Sequence, residues 1–196
     1  MRLINTEATI QTSNFILEPI LPSHASKLYK YLLSKNLYTF IPTNPPVSIS
    51  DLEHKYIRWA KRKSDDESEI WLNYAIYDVS INEYIGTLQA TLFISGENYI
   101  AYEVFPKNWR KGLAKVACSA FIKYLFEYYN LDIIKAHIDT RNIASYKLVE
   151  SLGFIRTGEI KNADEFKGSI SDEYIYTISS ARFDELYYTN KIIVSS

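Results

Sequence analysis

The chain carries a single cysteine, Cys118, among 196 residues. No intrachain disulfide can form, so a reducing, cytoplasmic home is expected. A surplus of positive charge is missing too: 22 basic residues face 23 acidic ones, for a net charge of −1. A surface built to neutralise phosphates along a strand needs a basic excess, so nucleic acid is excluded as the main partner. No apolar run approaches the roughly 18 residues that a membrane span needs. The opening residues MRLINTEATIQ hold a charge at Glu7 and no apolar core, which predicts no secretory leader. His24, His54 and His137 are scattered without ligand spacing, which predicts no metal site. No repeat, low-complexity tract or linker breaks the chain, so one domain over residues 1–196 is expected.

Apolar and aromatic side chains are plentiful. Hydrophobic residues make up 47% of the chain, enough for a sizeable core. Tyrosine alone accounts for 17 residues, and its apolar body with a polar tip suits pockets and interfaces. Residues 9–20 predict an opening strand or strand pair ending at Pro19. A helix is expected from Ser23 as N-cap, burying Leu28, Tyr31 and Leu32. The three prolines within 36–49 demand irregular chain. Ser50 and Glu53 have the spacing of a capping box, predicting a second helix from Ser50 to about Lys63. Strands at 71–79, 84–94 and 99–105, joined by short loops, predict an antiparallel meander.

The longest amphipathic pattern spans residues 112–129. Leu113, Val116, Ala117, Ala120, Phe121, Tyr124, Leu125 and Tyr128 form its apolar stripe, with Lys115, Ser119, Lys123 and Glu127 on the opposite face. A strand at 133–139 follows. A short helix from Asn142 to Leu152 is then stopped by Gly153. The end of the chain predicts a strand at 154–160, a loop KNADEFKG and a strand at 170–178. The fold class is α/β.

The chemistry concentrates in VFPKNWRKGLA, residues 104–114. Here a strand ends, a basic turn follows and a glycine opens the long helix. The first amides of a helix have no intrahelical acceptor and sit at the positive end of its dipole, which makes a site for phosphate. Gly112 lets backbone come close, Ala114 leaves room, and Lys107, Arg110 and Lys111 add charge. By itself the pattern also fits an ordinary helix start with solvated cations.

RKGLA, followed about thirty residues later by NIASYKLVESLGF, resembles the GNAT acetyltransferases, in particular the RimJ/RimL-type N-acetyltransferases. Their pattern is Q/R-x-x-G-x-G/A at a strand-to-helix turn, then N-x-x-S and a terminal L-G-F. Asn142, Ser145 and Leu152-Gly153-Phe154 match the later blocks, and TSNFILEPI is similar to that group's first strand. One position departs: Trp109 stands where the pattern begins, with Arg110 one place on.

The resemblance covers roughly residues 9–178. It implies a mixed, mostly antiparallel central sheet flanked by helices, with splayed central strands. It also implies acetyl-CoA as cosubstrate. The pantetheine would pair with backbone near Val104 and Phe105. The diphosphate would rest on the turn Trp109, Arg110, Lys111, Gly112, Leu113 and Ala114, and Asn142 would reach the cofactor. The activity implied is direct attack of an amine on the thioester in a ternary complex, with a backbone amide at a bulge near Val104–Phe105 polarising the carbonyl. Ser145 takes the position of the family's proposed acid. Glu103 and Tyr102 are the candidate bases, of which the strand's alternation lets at most one face the cleft.

The acceptor is expected to be a protein N-terminus or a small amine such as an amino sugar, polyamine or amino acid. A CoA-binding sensor or interaction module without turnover is the alternative from another class. Cys118 reads as a structural thiol inside a helix. Asp164, Glu165, Asp172 and Glu173, and the Pro-rich stretch 42–46 with Tyr38 and Phe40, are candidate borders of the acceptor pocket. The aromatic content and the tail KIIVSS allow a homodimer.

Overall fold

Alternation of buried and open positions, broken in one strand by a register shift against its neighbour between Tyr84 and Gly86, builds much of the sheet. Phe15 and Leu17 turn inward from one strand, Ile85, Leu88, Ala90 and Leu92 from another. The computed structural model describes residues 6–188. In chain order its elements are β1 (Ile10–Gln11), β2 (Phe15–Pro19), α1 (His24–Leu32), α2 (Ile49–Trp59), β3 (Glu69–Asp78), β4 (Glu83–Phe93) and β5 (Asn98–Val104). There follow α3 (Leu113–Tyr129), β6 (Ile133–Asp139), α4 (Ile143–Ser151), β7 (Ile155–Phe166), β8 (Ser169–Ser179) and α5 (Ser180–Tyr188). Single 3-10 turns occupy Lys35–Tyr38 and Pro106–Asn108.

The strands form one sheet in the order β1-β2-β3-β4-β5-β6-β8-β7. Its pairings are antiparallel except β5 with β6, which is parallel and registers at Tyr99↔Lys135 alone. This is the mixed, mostly antiparallel sheet with diverging central strands that the resemblance implies. Two cores cover its faces. Ala117, Cys118, Phe121, Ile122 and Leu125 of α3 pack with Val149 of α4 and Phe183 of α5 on one face. Leu28 and Leu32 of α1 pack with Leu52 and Tyr56 of α2 and with Phe105 on the other. Each large side chain buried this way contributes about 1.5–3 kcal/mol. Among the described residues no helix is long and apolar enough to cross a membrane.

Several local expectations need correction. The second helix is capped by Ser48, whose side chain accepts from the Asp51 amide at 3.0 Å, and it ends at Trp59. Ser23 occupies its N-cap without a side-chain bond; His24 Nδ1 instead accepts from the Leu21 amide at 3.0 Å. Ser119 is fully buried, because α3 is covered on more than its sheet-facing stripe, and its hydroxyl has no partner among the described residues. The stretch KNADEFKG is not a loop: β7 runs through Phe166, and Lys167-Gly168 alone turn the chain. The tail at 191–196, an expected dimer contact, lies outside the described residues.

Candidate active site

The alternation of β5 sorts its side chains between the two faces. Tyr102 belongs with the core under α3, whereas Phe105, two places beyond Glu103, is buried against α1 and α2. Beyond their single registered pair, β5 and β6 run apart and leave a gap through the sheet. A cavity of about 150 Å³ fills that gap. Ile100, Tyr102, Ala136 and Ile138 line it from the α3 side, together with Asn142 and Ser145 at the start of α4. Ala101, His137, Asp139 and Glu173 line it from the opposite side, beneath Phe40–Pro42 and Phe166. The cavity therefore opens toward both faces of the sheet.

Asn142 is a true N-cap: its Oδ1 accepts from the Ser145 amide at 3.2 Å. That bond orients the first turn of α4 and turns Ser145 toward β5. The Tyr102 hydroxyl lies 2.9 Å from Ser145 Oγ and donates to the Ser145 carbonyl at 3.0 Å. If the Tyr102 proton goes to that carbonyl, Ser145 Oγ is the donor in the other bond. Burial pushes the Tyr102 phenol well above its ordinary range, more than the bond to Ser145 lowers it. Tyr102 thus stays protonated at neutral pH.

Glu103 is half-buried and does not line the cavity. Its carboxylate takes no hydrogen bond or ion pair among the described residues. Burial raises its carboxyl above the ordinary range, and the nearby Lys55 ammonium pulls it back only in part. Glu103 in turn acts electrostatically on Tyr38 and Tyr56, which places it among the side chains of the α1–α2 layer. Burial likewise lowers Lys55, with Glu103 opposing the shift. A carboxylate held partly out of water without a hydrogen-bond donor is one that gains from taking a proton.

The turn before α3 has the features of an anion site. Gly112 is the N-cap at φ +77° and supplies no side-chain cap, so the first amides of α3 are left without one. Nothing lies within 4 Å of the space a Cβ on Gly112 would enter. Arg110, at φ 59°, is exposed, and no ion pair engages it among the described residues. Lys111 Nζ reaches Asn108 Oδ1 at 3.4 Å, while the buried Nδ2 of Asn108 has no partner among the described residues. Open amides, an unpaired cation and an orphaned donor suit a phosphate-bearing group.

Two backbone expectations nearby are corrected. The register of β5 with β4 runs unbroken from Gly86↔Val104 to Leu92↔Asn98, so no bulge lies at Val104–Phe105. The Phe105 amide donates to Ile85 O at 2.8 Å and its ring stacks on Tyr31 at 4.9 Å. It has no free group for a thioester carbonyl. Trp109, where the family pattern departs, folds back and gives its indole N–H to the Val104 carbonyl. A ligand amide seeking that carbonyl must displace it.

Of the acidic residues considered for the acceptor pocket, Glu173 lines the cavity, with His137 Nδ1 at 3.2 Å from Oε2. Asp172 is engaged by Lys161, and Asp164 and Glu165 are not among the lining residues. Asp139, missed in the sequence, is buried. Burial works to raise its carboxyl, but bonds from Arg141 and Ser171 outweigh it and hold it below the usual range. The D-x-R spacing ahead of Asn142 was the available signal. Cys118 is buried as expected, and burial pushes its thiol up to about 12.

Comparison with known proteins agrees with this architecture. The family model for the acetyltransferase (GNAT) domain matches residues 14–155. The uncharacterized N-acetyltransferase p20 of Bacillus licheniformis is 30% identical over 107 residues, 54% of this chain and 60% of that protein. The chain spans about half the length of the curated relatives it matches, from 45% to 60%. In fold it is similar to ribosomal-protein-S5-alanine acetyltransferase from Vibrio fischeri, with a TM-score of 0.76 at 18% identity, covering 90% of this chain and 98% of that one. It is also similar to spermidine N-acetyltransferase from Vibrio cholerae in complex with CoA and spermine. That match has a TM-score of 0.74 at 19% identity, covering 87% of this chain and 98% of the other. With the family model matched over most of its length, the chain belongs to the GNAT acetyltransferase domain family.

Proposed function

We propose that this chain is a cytoplasmic, single-domain N-acetyltransferase of RimJ/RimL type that moves an acetyl group from acetyl-CoA to a primary amine. The observation that supports it most is the cavity between β5 and β6, reached from the α3 face by Tyr102, Asn142 and Ser145 and from the other face by Phe40–Pro42. Two reactants entering from opposite faces meet there in line. Holding them so can contribute about 7–11 kcal/mol to the rate.

In this proposal the amides of Leu113 and Ala114, with Arg110, Lys111 and the Asn108 amide group, hold the diphosphate. Gly112 keeps that approach open. The thioester supplies an activated acetyl group and a thiolate leaving group whose conjugate thiol has a pKa of about 8.5. Ser145, with Tyr102 behind it, delivers a proton to that sulfur. Glu103, which stands outside the cavity wall, takes through water the proton that the attacking amine must lose. A lysine-like amine, with a pKa of about 10.4, needs such a base more than a protein α-amine at roughly 7.7–8.0.

The two named fold relatives include a spermidine and a ribosomal-protein acetyltransferase. They bracket the two acceptor classes, small amine and protein N-terminus. The test is release of free thiol from acetyl-CoA by the purified protein with a panel of amines and peptides. Release that depends on one amine class supports the proposal. Stabilisation by CoA without release for any acceptor contradicts it and favours a CoA-binding sensor.

A further inference from the structure

The tip of the β7–β8 hairpin is tied to a segment more than a hundred residues away. Lys167 and Gly168 both take positive φ, 53° and 75°, in a two-residue turn that sets Phe166 opposite Ser169. Glycine accepts that backbone freely; lysine there is uncommon and invites a reason. Its ammonium donates to the carbonyls of Tyr38, of Ile41 at 2.8 Å and of Thr43 at 3.0 Å. An ammonium has three protons, and all three are committed to the segment following α1. The other side of the turn is tethered as well. Arg141 Nη1 donates to Ser169 Oγ at 2.7 Å, and its guanidinium lies 5.8 Å from the Phe166 ring centroid.

These ties bear on the cavity directly. Phe166 from the hairpin and Phe40, Ile41 and Pro42 from the gripped segment are walls of the same space. One side chain therefore joins the two walls on the face away from α3. We propose that Lys167 is a specificity-determining latch that closes the acceptor side of the cleft and restricts the acceptor to a small primary amine, excluding polypeptide N-termini. The inference rests on the acetyl-transfer function proposed above.

Size supports it. A cavity of about 150 Å³ is the volume that accommodates roughly one benzene ring. It holds the reactive end of a small amine but not an extended backbone with flanking side chains. The cavity wall suits a cationic guest, because Glu173 lies there and its neighbour His137 is the one basic side chain among the lining residues. On the face away from α3 the walls are Phe166 and Phe40–Pro42, the two segments that the three carbonyl bonds of Lys167 hold together.

The experiment uses the full chain as wild type, Lys167→Met and Lys167→Arg. Methionine keeps length without donors, and arginine restores donors. The kcat and KM are measured with saturating acetyl-CoA for primary amines graded in size from ethylamine to a tripeptide. Amide hydrogen exchange of residues 38–43 is followed on the same preparations. Wild type should acetylate the smallest amines and leave the tripeptide. In Lys167→Met, exchange at 38–43 should quicken at least tenfold. KM for small amines should rise more than kcat falls, and the tripeptide-to-small-amine ratio of kcat/KM should climb at least tenfold. Arginine should restore much of both. Unaltered exchange in Lys167→Met, or wild type that takes the tripeptide as readily as ethylamine, overturns the latch. If no amine is acetylated by any form, the acetyl-transfer function falls instead, and the exchange result still decides whether Lys167 holds the walls together.

Discussion

Replacing Gly86 with alanine would press on the wall of the cleft from behind. Gly86 lies on β4 opposite Val104, and a Cβ there would sit 2.1 Å from the Glu103 carbonyl oxygen and 3.0 Å from Val104 Cα. Both obstacles are backbone, so no flexible side chain can swing aside. To reach ordinary contact, β5 must move by about an ångström. Such overpacking costs about 1–3 kcal/mol. In a domain of this size that corresponds to a fall in Tm of roughly 2–12 °C. The displaced segment carries Glu103 and borders the gap, and misplacing reacting groups by about an ångström can cost on the order of 10²-fold in rate. Thermal unfolding by circular dichroism and steady-state thiol release would measure both effects. An unchanged Tm together with unchanged kcat/KM would refute the idea that β4 presses this closely on the cleft wall.

Glu103→Gln should lower kcat by about 10²–10⁴-fold for amines of high pKa, with a smaller loss for peptide α-amines. The same variant has a stability signature. Burial raises the Glu103 carboxyl in the folded protein, so its neutral form favours folding below the unfolded pKa of about 4.3, and that contribution is lost as pH rises through the folded value. Relative to wild type, Glu103→Gln should therefore gain stability at pH 8 over pH 4; equal differences at both would contradict a carboxylate buried without a donor. Ser145→Ala should slow turnover by up to about 10²-fold while CoA affinity stays near normal. Adding Tyr102→Phe should cost little more, because the two hydroxyls 2.9 Å apart act as one unit. Fully additive losses would separate their roles.

The interior of the fold could be read from the chain because its patterns are one-sided. The meander, β6 and α4 follow from alternation or from a named cap. The Asn142 bond to the Ser145 amide was visible as residue types at the right spacing. The outer half of the β7–β8 hairpin, residues 161–166, was hidden for the opposite reason. Most positions of β7 are exposed, since it is the sheet's last strand and pairs with β8 alone. Polar residues on both faces then mimic a loop, and the turn at Lys167-Gly168 lacks the Asn-Gly or Asp-Gly signal. A helix buried on several sides, like α3 at Ser119, also departs from any single-stripe pattern. At the site, local sequence marked the phosphate turn and the start of α4. It named Glu173 among four acidic residues without singling it out, and it missed Asp139 and Phe166, which reach the cavity only through strand pairing.

Cofactor binding depends most on the turn at Gly112, and calorimetric titration of CoA into wild type, Gly112→Glu and Gly112→Asn tests this directly. The space beside Gly112 is open, so a side chain can be housed without crowding the fold, and asparagine tolerates the left-handed backbone without adding charge. Wild type should bind CoA, asparagine should weaken it modestly, and glutamate should reduce affinity at least tenfold, about 1.4 kcal/mol or more. Equal affinity for wild type and the glutamate variant, both folded by circular dichroism, would contradict diphosphate binding at the tip of α3.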